Sequence, residues 1–295
     1  INFSFISESG NEALGLAGKQ QVHVQNPIAS DQAVMRRSLL PSLLQNVAHN
    51  LNHGVDDIAL FELGATYEFE EEEEEEEKDK MHLPANETQY FSAVLAGGSK
   101  QNWNAPARDH DFFEVKGFAE YFLQALGHQK AVVEEARDVP FLHPGKSARL
   151  LVKGEPLAVF GEVHPAFLKE WDSHSPVCYL QIALACSVLE GGPEPKYKEI
   201  PRFPAITRDI ALVVDRDVKA LEIERGIRKA ARNFLSNVRV FDVYEGKHVE
   251  EGKKSLAFSL TYRAPDRTLK EEEVNEVHEE VLKALEKDFG AALRQ

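Results

Sequence analysis

Between residues 197 and 295 the spacing of apolar positions changes period several times. Arg208 to Val214 alternates, which predicts a strand. From Leu221 to Leu235 the apolar residues Ile223, Ile227, Ala230 and Phe234 recur at helical spacing. Val238–Tyr244 and Ser255–Tyr262 alternate again and are joined by a glycine-bearing loop. Thr268 is placed to cap a helix, with Glu271 three residues on as a capping box. Val274, Val277, Val281, Leu282 and Leu285 then line one helical face, and Gly290 ends it. Ala291 to Arg294 can add a short last strand. The order β-α-β-β-α-β is the split βαβ, ferredoxin-like arrangement.

Residues 1–190 mix periods less regularly. Ser38–Leu51 is helical, with leucines near 3.6 spacing. Ile58–Leu63 reads as a buried strand running on through Tyr67, and Tyr90–Leu95 as another. Phe112–Leu126 is helical, with Val115, Phe118, Ala119, Phe122 and Leu126 on one face and Gly127 as its stop. Ala148–Val152, Leu157–Gly161 and Val177–Leu184 are strands. Antiparallel strands with interspersed helices predict an α+β domain. Gly191-Gly192-Pro193-Glu194-Pro195-Lys196 blocks both helix and strand, so 191–196 is expected to be a linker between domains 1–190 and 197–295.

A ferredoxin-like sheet carries helices on one face only. In the third strand of the second domain the large residues Leu256, Phe258, Leu260 and Tyr262 should meet the helices, leaving Ser255, Ala257, Ser259 and Thr261 on the open side. Ile210, Leu212 and Val214 match the covered set. In the second strand Val238 and Val240 look covered, which puts Arg239 and Phe241 on the open face. The same parity sends Asp242 inward, a conflict that the pattern leaves standing. Arg239 and Phe241 over small neighbours could seat an unstacked base, or Phe241 could pack under a loop. Arg225, Arg228, Lys229 and Arg232 form a basic stripe on one helix, fit for solvent or for phosphate.

Composition sharpens the contrast between the two parts. Residues 197–295 hold 19 Lys+Arg against 19 Asp+Glu, so the whole net charge of −15 belongs to residues 1–196. Much of it is the run Glu70–Glu77, expected to be a solvated hairpin tip or a disordered loop. No apolar run is long enough to span a membrane. Ile1-Asn2-Phe3-Ser4-Phe5 has neither the basic nor the apolar region of a signal peptide, lacks Met and opens within a strand-like pattern, as a cut in a longer chain would. The two cysteines, Cys178 and Cys186, fit neither a zinc ribbon nor a redox pair and are expected to be reduced thiols in a cytoplasmic protein.

The common catalytic signatures are missing. There is no phosphate-binding P-loop, dinucleotide turn, nucleophile elbow or HExxH helix. His49 and His53 share a helix face but have no third ligand at a telling distance in sequence. Asp109-His110-Asp111 precedes a helix as a cap would. His143-Pro144-Gly145 and His164-Pro165 read as turns.

Several segments nonetheless carry a likeness. Arg202-Phe203-Pro204, Thr207–Val214, Phe241-Asp242-Val243-Tyr244, Lys254–Ala257, Arg267-Thr268-Leu269 and Gly290–Arg294 resemble, in order and spacing, the anticodon-binding domain of the bacterial phenylalanyl-tRNA synthetase β-chain family. Met35–Pro41, Phe61–Gly64, Asp111–Gly117, His143–Ala148 and Gly161–Pro165 are similar to the preceding module of the same family. The resemblance implies a class II synthetase-like, non-catalytic antiparallel-sheet core module over residues 1–190 and an anticodon-binding domain over 197–295. Where an active member of that class has Phe-Arg-x-Glu, this chain has Tyr67-Glu68-Phe69-Glu70. The carboxylate of Glu68 then replaces the arginine that would hold a triphosphate.

The resemblance further implies partners and roles. The chain would bind tRNA(Phe) and pack on a catalytic α subunit in an α2β2 assembly. ATP and Mg2+ would be used by the whole enzyme, with no cofactor, metal, membrane or DNA bound by this part. Upstream domains of the family, an editing domain among them, are not represented. Arg202, Phe203, Arg208, Arg239, Phe241, Tyr244, Lys253 and Arg263 are the expected tRNA contacts, the basic groups meeting phosphates and the rings stacking. The competing expectations are a scaffold that binds no RNA and, less in keeping with Glu68, a small ligase acting alone.

Overall fold

The computed structural model describes residues 2–16, 18, 21–69, 85–128, 131–171, 175–184, 197, 199–247 and 249–294. The acidic run Glu70–Glu77, Cys186 and the segment 191–196 lie outside the described residues. Contacts between backbones divide the chain into two compact units, Ile1–Pro195 and Lys196–Gln295.

In the first unit β1 (Phe5–Ile6) precedes a short helix α1 (Glu8–Glu12) and pairs with β2 (Val34–Met35). Helix α2 (Leu40–Asn52) follows, with Pro41 in its first turn, where a missing N–H does no harm. The long hairpin β3 (Asp57–Phe69) and β4 (Ala85–Ser99) comes next. Short β5 (Arg108–Asp109) leads into α3 (Phe112–Ala125). Asp111 caps α3 as the sequence indicates, its side chain accepting from the Glu114 N–H at 2.9 Å. Strands β6 (Val132–Glu135), β7 (Leu142–Val152) and β8 (Glu155–Val163), the single-turn helix α4 (Pro165–Leu168) and β9 (Val177–Ala183) complete the unit. The sheet is antiparallel in the order β3-β4-β9-β8-β7-β6, with short β5 paired to the end of β4 as its seventh strand.

The two turns expected around the histidines are not turns. His143-Pro144-Gly145 lies within β7, at an irregularity of register between Leu142 and Ser147. His164 is the cap of α4, its ring nitrogen accepting from the Ala166 N–H at 3.2 Å, with Pro165 as the first helical residue.

Both faces of this sheet are covered, but unequally. Helix α2 packs with Ile58, Val94, Val177 and Tyr179 on one side. Helix α3 packs through Val115, Ala119 and Leu123 on Leu150, Phe160 and Leu180 on the other. The expected α3 face needs correcting: Leu123 is buried while Phe118 is exposed. Strand β3 also departs from the expected buried strand. It lies at the sheet edge, beyond the reach of α3, so Phe61 (68% exposed) and Leu63 (63%) stand in the open on the α3 side.

The inward face of β3 carries Glu62 instead. Its carboxylate meets Arg36 at 2.8 Å, and both side chains are at most 5% exposed. Arg36 also donates to the Ala65 carbonyl at 2.9 Å, and Asn2 donates to Glu62 at 2.6 Å. Gly64 is required beside them, because a Cβ there would come within 2.3 Å of Arg36.

The second unit follows the predicted element order: β10 (Ile206–Asp215), α5 (Ala220–Ala231), β11 (Leu235–Tyr244), β12 (Lys253–Tyr262), α6 (Glu271–Phe289) and β13 (Ala292–Leu293). The sheet order is β11-β12-β10-β13, and both helices lie on the face carrying Ile210, Leu256, Phe258 and Leu260. The cap of α6 sits at Lys270, two residues past Thr268. Glu273 reaches back to the Lys270 N–H at 3.0 Å, so the acidic half of the capping box is present with a shifted start, while the lysine side chain has no acceptor with which to return the bond. Gly290 closes the helix with φ of 60°, a left-handed conformation that suits glycine.

Candidate nucleic-acid interface

The register of the second sheet sorts its residues between faces. Opposite the helices, β10, β12 and β11 contribute four rows: Thr207-Thr261-Asn237, Asp209-Ser259-Arg239, Ala211-Ala257-Asp242 and Val213-Ser255-Tyr244. The middle column is small, so the face is a shallow trough with larger groups along β11.

The inward parity assigned to Asp242 is corrected by a bulge. Register shifts between Val240 and Asp242, so that Phe241 and Asp242 together oppose Ala257. The extra residue restores Asp242 and Tyr244 to the open side and leaves Phe241 half exposed (50%). A second bulge inserts Ser236 near the start of the strand.

At one end of this face the Arg294 guanidinium lies 4.6 Å from the centre of the Tyr244 ring. Its backbone N–H bonds to Ala211, on the other side of the sheet. The two side chains meet across β12 and β10, which explains why Ser255 and Ala257 are buried although no helix covers them. Tyr244 therefore already has a cation on its ring, an arrangement that fixes the ring as a platform.

The expected contact residues do not form one cluster. Arg239 is exposed on the open face, and among the described residues it has no carboxylate partner. Phe241 and Tyr244 lie on the same strand. Lys253 is at the far end of β12 and holds Glu250 at 2.7 Å; that contact raises the lysine's pKa and lowers the glutamate's. Arg202 and Arg263 line a cleft at the opposite end of the sheet. Phe203 is half-buried just before β10.

Arg208 is placed elsewhere. It pairs in register with Leu260 on the helix side and forms an ion pair with Glu271 at the start of α6. Nearby, the fully buried Tyr262 bonds through its hydroxyl to His278 at 3.0 Å. Burial, assisted by Arg208, holds His278 below its ordinary pKa; burial pushes Tyr262 up to about 12 against the opposing charge of Arg208. Arg208 thus serves the helix–sheet junction. Asp242 and Arg294 are the open-face residues that the expected set lacks. Asp242 was hidden by the bulge, and Arg294 by a contact across the whole sheet.

The basic stripe of α5 is exposed. Arg228 is tied to Glu224 at 2.8 Å, and Arg232 has a positive φ of 52°, which is strained for a residue with a side chain. In the first unit Glu68 engages Arg37 at 2.8 Å. His110 bridges Glu114 at 2.8 Å and Asp57 at 3.0 Å. Burial lowers its pKa, but the two hydrogen bonds outweigh burial and the net shift is upward. Cys178 is buried, its thiol pushed up to about 12. Among the described residues no group of three or more potential metal ligands converges.

Comparison with known proteins gives this architecture a family. The sequence profile described as the phenylalanyl tRNA synthetase beta chain CLM domain matches residues 1–184, and that of the ferredoxin-fold anticodon binding domain matches residues 201–294. The phenylalanine–tRNA ligase beta subunit of Symbiobacterium thermophilum is 41% identical over 269 residues, covering 91% of this chain and 29% of that protein. The corresponding subunit of Bacillus licheniformis is 38% identical over 295 residues (100% and 35%), and that of Bacillus subtilis 36% over 294 residues (100% and 35%). The chain spans about a third of the length of these relatives. With both profiles matched in order and a sheet of the expected ferredoxin topology, the chain belongs to the phenylalanine–tRNA ligase beta-subunit family.

Proposed function

We propose that residues 197–295 bind the anticodon arm of tRNA(Phe) on the open face of their sheet. Residues 1–190, joined to them through 191–196, then form a non-catalytic, class II synthetase-like core that packs on the α subunit of an α2β2 phenylalanine–tRNA ligase in the cytoplasm. ATP and Mg2+ serve the α subunit in this reading, and the chain alone charges no tRNA.

One observation carries the RNA-binding part. Arg239 and half-exposed Phe241 stand beside a trough of small residues on a face that no helix covers. A base that leaves its stack can lie on Phe241 or Tyr244, with a phosphate at Arg239. Asp242 adds an acceptor for a base-edge donor and repels phosphate, so it favours bases over backbone at that row. The seven-stranded antiparallel sheet supports the core assignment. Glu68, held by Arg37, presents a carboxylate where an active site of that class needs a cation. The packing surface is marked by exposed Phe61, Leu63, Phe118 and Tyr121, since aromatic patches of this kind indicate interfaces. Phe61 continues inward through Phe91 (5.7 Å between ring centres) to Phe122 (4.9 Å).

The test is tRNA(Phe) binding by the whole chain, with Arg239→Ala and Phe241→Ala variants, at two salt concentrations. Losing Phe241 should weaken binding by about 1–3 kcal/mol, the worth of one stacked base. Losing Arg239 should weaken it and flatten the salt dependence. Unchanged affinity in both variants would remove the open face from RNA binding and favour a protein scaffold.

A further inference from the structure

We infer that the cleft at the end of the second sheet is a separate nucleotide-binding pocket. It would take one phosphate of single-stranded RNA on Arg263 and Arg202, with the attached nucleoside against an apolar wall. This rests on the RNA-binding reading above and extends it to a place that the open-face rows do not reach.

The cleft measures about 440 Å³, within the range of small-ligand pockets and ample for one nucleotide. Its walls are Ile200 and Pro201 from the segment entering β10, Leu235 from the start of β11, and Ala264 with Pro265 after β12. The polar groups on it are Arg202, Arg263, Asn233, Ser236 and Glu199.

Arg263 is the informative member. Its Nε is buried and finds no hydrogen-bond acceptor among the described residues. No carboxylate among those residues comes within ion-pair distance of its guanidinium. A buried cationic donor without an acceptor destabilises the unliganded fold, and an anion supplied from outside removes that penalty. The Arg263 main chain is fixed by an N–H bond to the Phe234 carbonyl at 2.8 Å, so the side chain starts from a set position.

Arg202 is the second cation. It is largely exposed, and its carboxylate partner Glu199 lies 3.6 Å away, also exposed; such a pair is weak and readily exchanged. Glu199 opposes an anion, which makes it a useful probe of the sign of the ligand's charge. Ser236 already donates to the Thr261 carbonyl at 2.9 Å, and the extra residue it contributes to β11 shapes the cleft floor. Next along the sheet come Asn237 and then Arg239, so a strand leaving the cleft meets the open face directly.

The whole chain would be titrated with tRNA(Phe) as wild type, Arg263→Gln, Arg263→Lys, Glu199→Gln and, for comparison, Phe241→Ala, while thermal unfolding is followed in parallel. Arg263→Gln should weaken binding roughly tenfold, the value of one charge-assisted hydrogen bond, and reduce the salt slope by about one. Arg263→Lys should restore part of it, and Glu199→Gln should tighten binding. Because the Nε is unsatisfied, Arg263→Gln should leave the unfolding temperature unchanged or raise it.

If Phe241→Ala weakens binding and neither Arg263 nor Glu199 variants do, the pocket is refuted and the open face stands. A lowered unfolding temperature with unchanged affinity would make Arg263 a structural residue and also refute the pocket. If the wild-type chain binds no tRNA, both readings fall together.

Discussion

Strands β3 and β12 carry similar alternation but use it in opposite ways. In β12 the large residues Leu256, Phe258 and Leu260 turn toward two helices and are buried. In β3 the large residues Phe61 and Leu63 turn toward solvent, and the buried position between them holds Glu62. Alternation fixes which residues share a face. It does not say which face is covered, because coverage depends on where a helix elsewhere in the chain ends. In the second unit both helices span the sheet from one side, whereas in the first α3 stops short of the edge strand.

The largest effect that sharpens this contrast is expected at Glu62. Glu62→Ala would leave the Arg36 guanidinium buried without its carboxylate, a loss of about 3–5 kcal/mol. Denaturant unfolding followed by Trp171, which packs on the α2-side core, reads the first unit. A loss below roughly 1 kcal/mol, well short of that expected from breaking a buried pair, would show that the inward face of β3 tolerates an open charge.

Replacing equivalent rings then separates the two strands. Phe258→Ala should lower stability by about 3–5 kcal/mol through the cavity it opens. Phe61→Ser should change the isolated chain by no more than about 0.5 kcal/mol, as for a surface site. If Phe61→Ser destabilises as strongly as Phe258→Ala, β3 has a covering that the exposed ring contradicts.

The smallest effects are on pH dependence, and they should differ in sign between the units. His110, raised above its ordinary value of 6.5, stabilises the first unit fully below that pH, and the contribution is lost as pH rises through the folded value. His278, lowered, favours the second unit above 6.5, and that contribution is lost as pH falls through the folded value. His110→Gln and His278→Gln should each flatten the corresponding limb of the stability–pH curve. Flattening of the same limb by both would contradict the opposite shifts.

Much of the second unit was legible because its elements, β11 excepted, have one covered face and a clean period. The order of six elements, the covered set in β10 and β12, and Gly290 all follow from spacing. Asp242 was not legible: a bulge at Phe241 needs no glycine and leaves no composition signal, yet it reverses the parity of everything after it. Arg208 stands apart from the open face for a simpler reason. It precedes the covered residues Ile210 and Leu212 by an even count, so its parity already placed it with the helices. In the first unit the edge position of β3 comes from the pairing of strands distant in sequence. His143-Pro144-Gly145 has turn composition, but it falls in the irregular stretch of β7 between the residues that pair with β8 on either side, Leu142 and Ser147, so the chain continues through it as strand. The cleft at Arg263 joins three segments far apart in sequence, and of its lining the sequence marked only the two cations, Arg202 and Arg263.

The paired bulges of β11 have a consequence beyond the face they create. This strand is an outer edge of its sheet, where unpaired backbone groups can recruit a strand from another molecule. Ten residues of β11, Leu235–Tyr244, run alongside only eight of β12, Ser255–Tyr262. The surplus bends and twists the edge, so a flat foreign strand cannot match its spacing for more than a few residues. Removing Ser236 and Phe241 together would straighten that border without disturbing the covered face, and would convert a self-limiting domain into one prone to edge-to-edge aggregation.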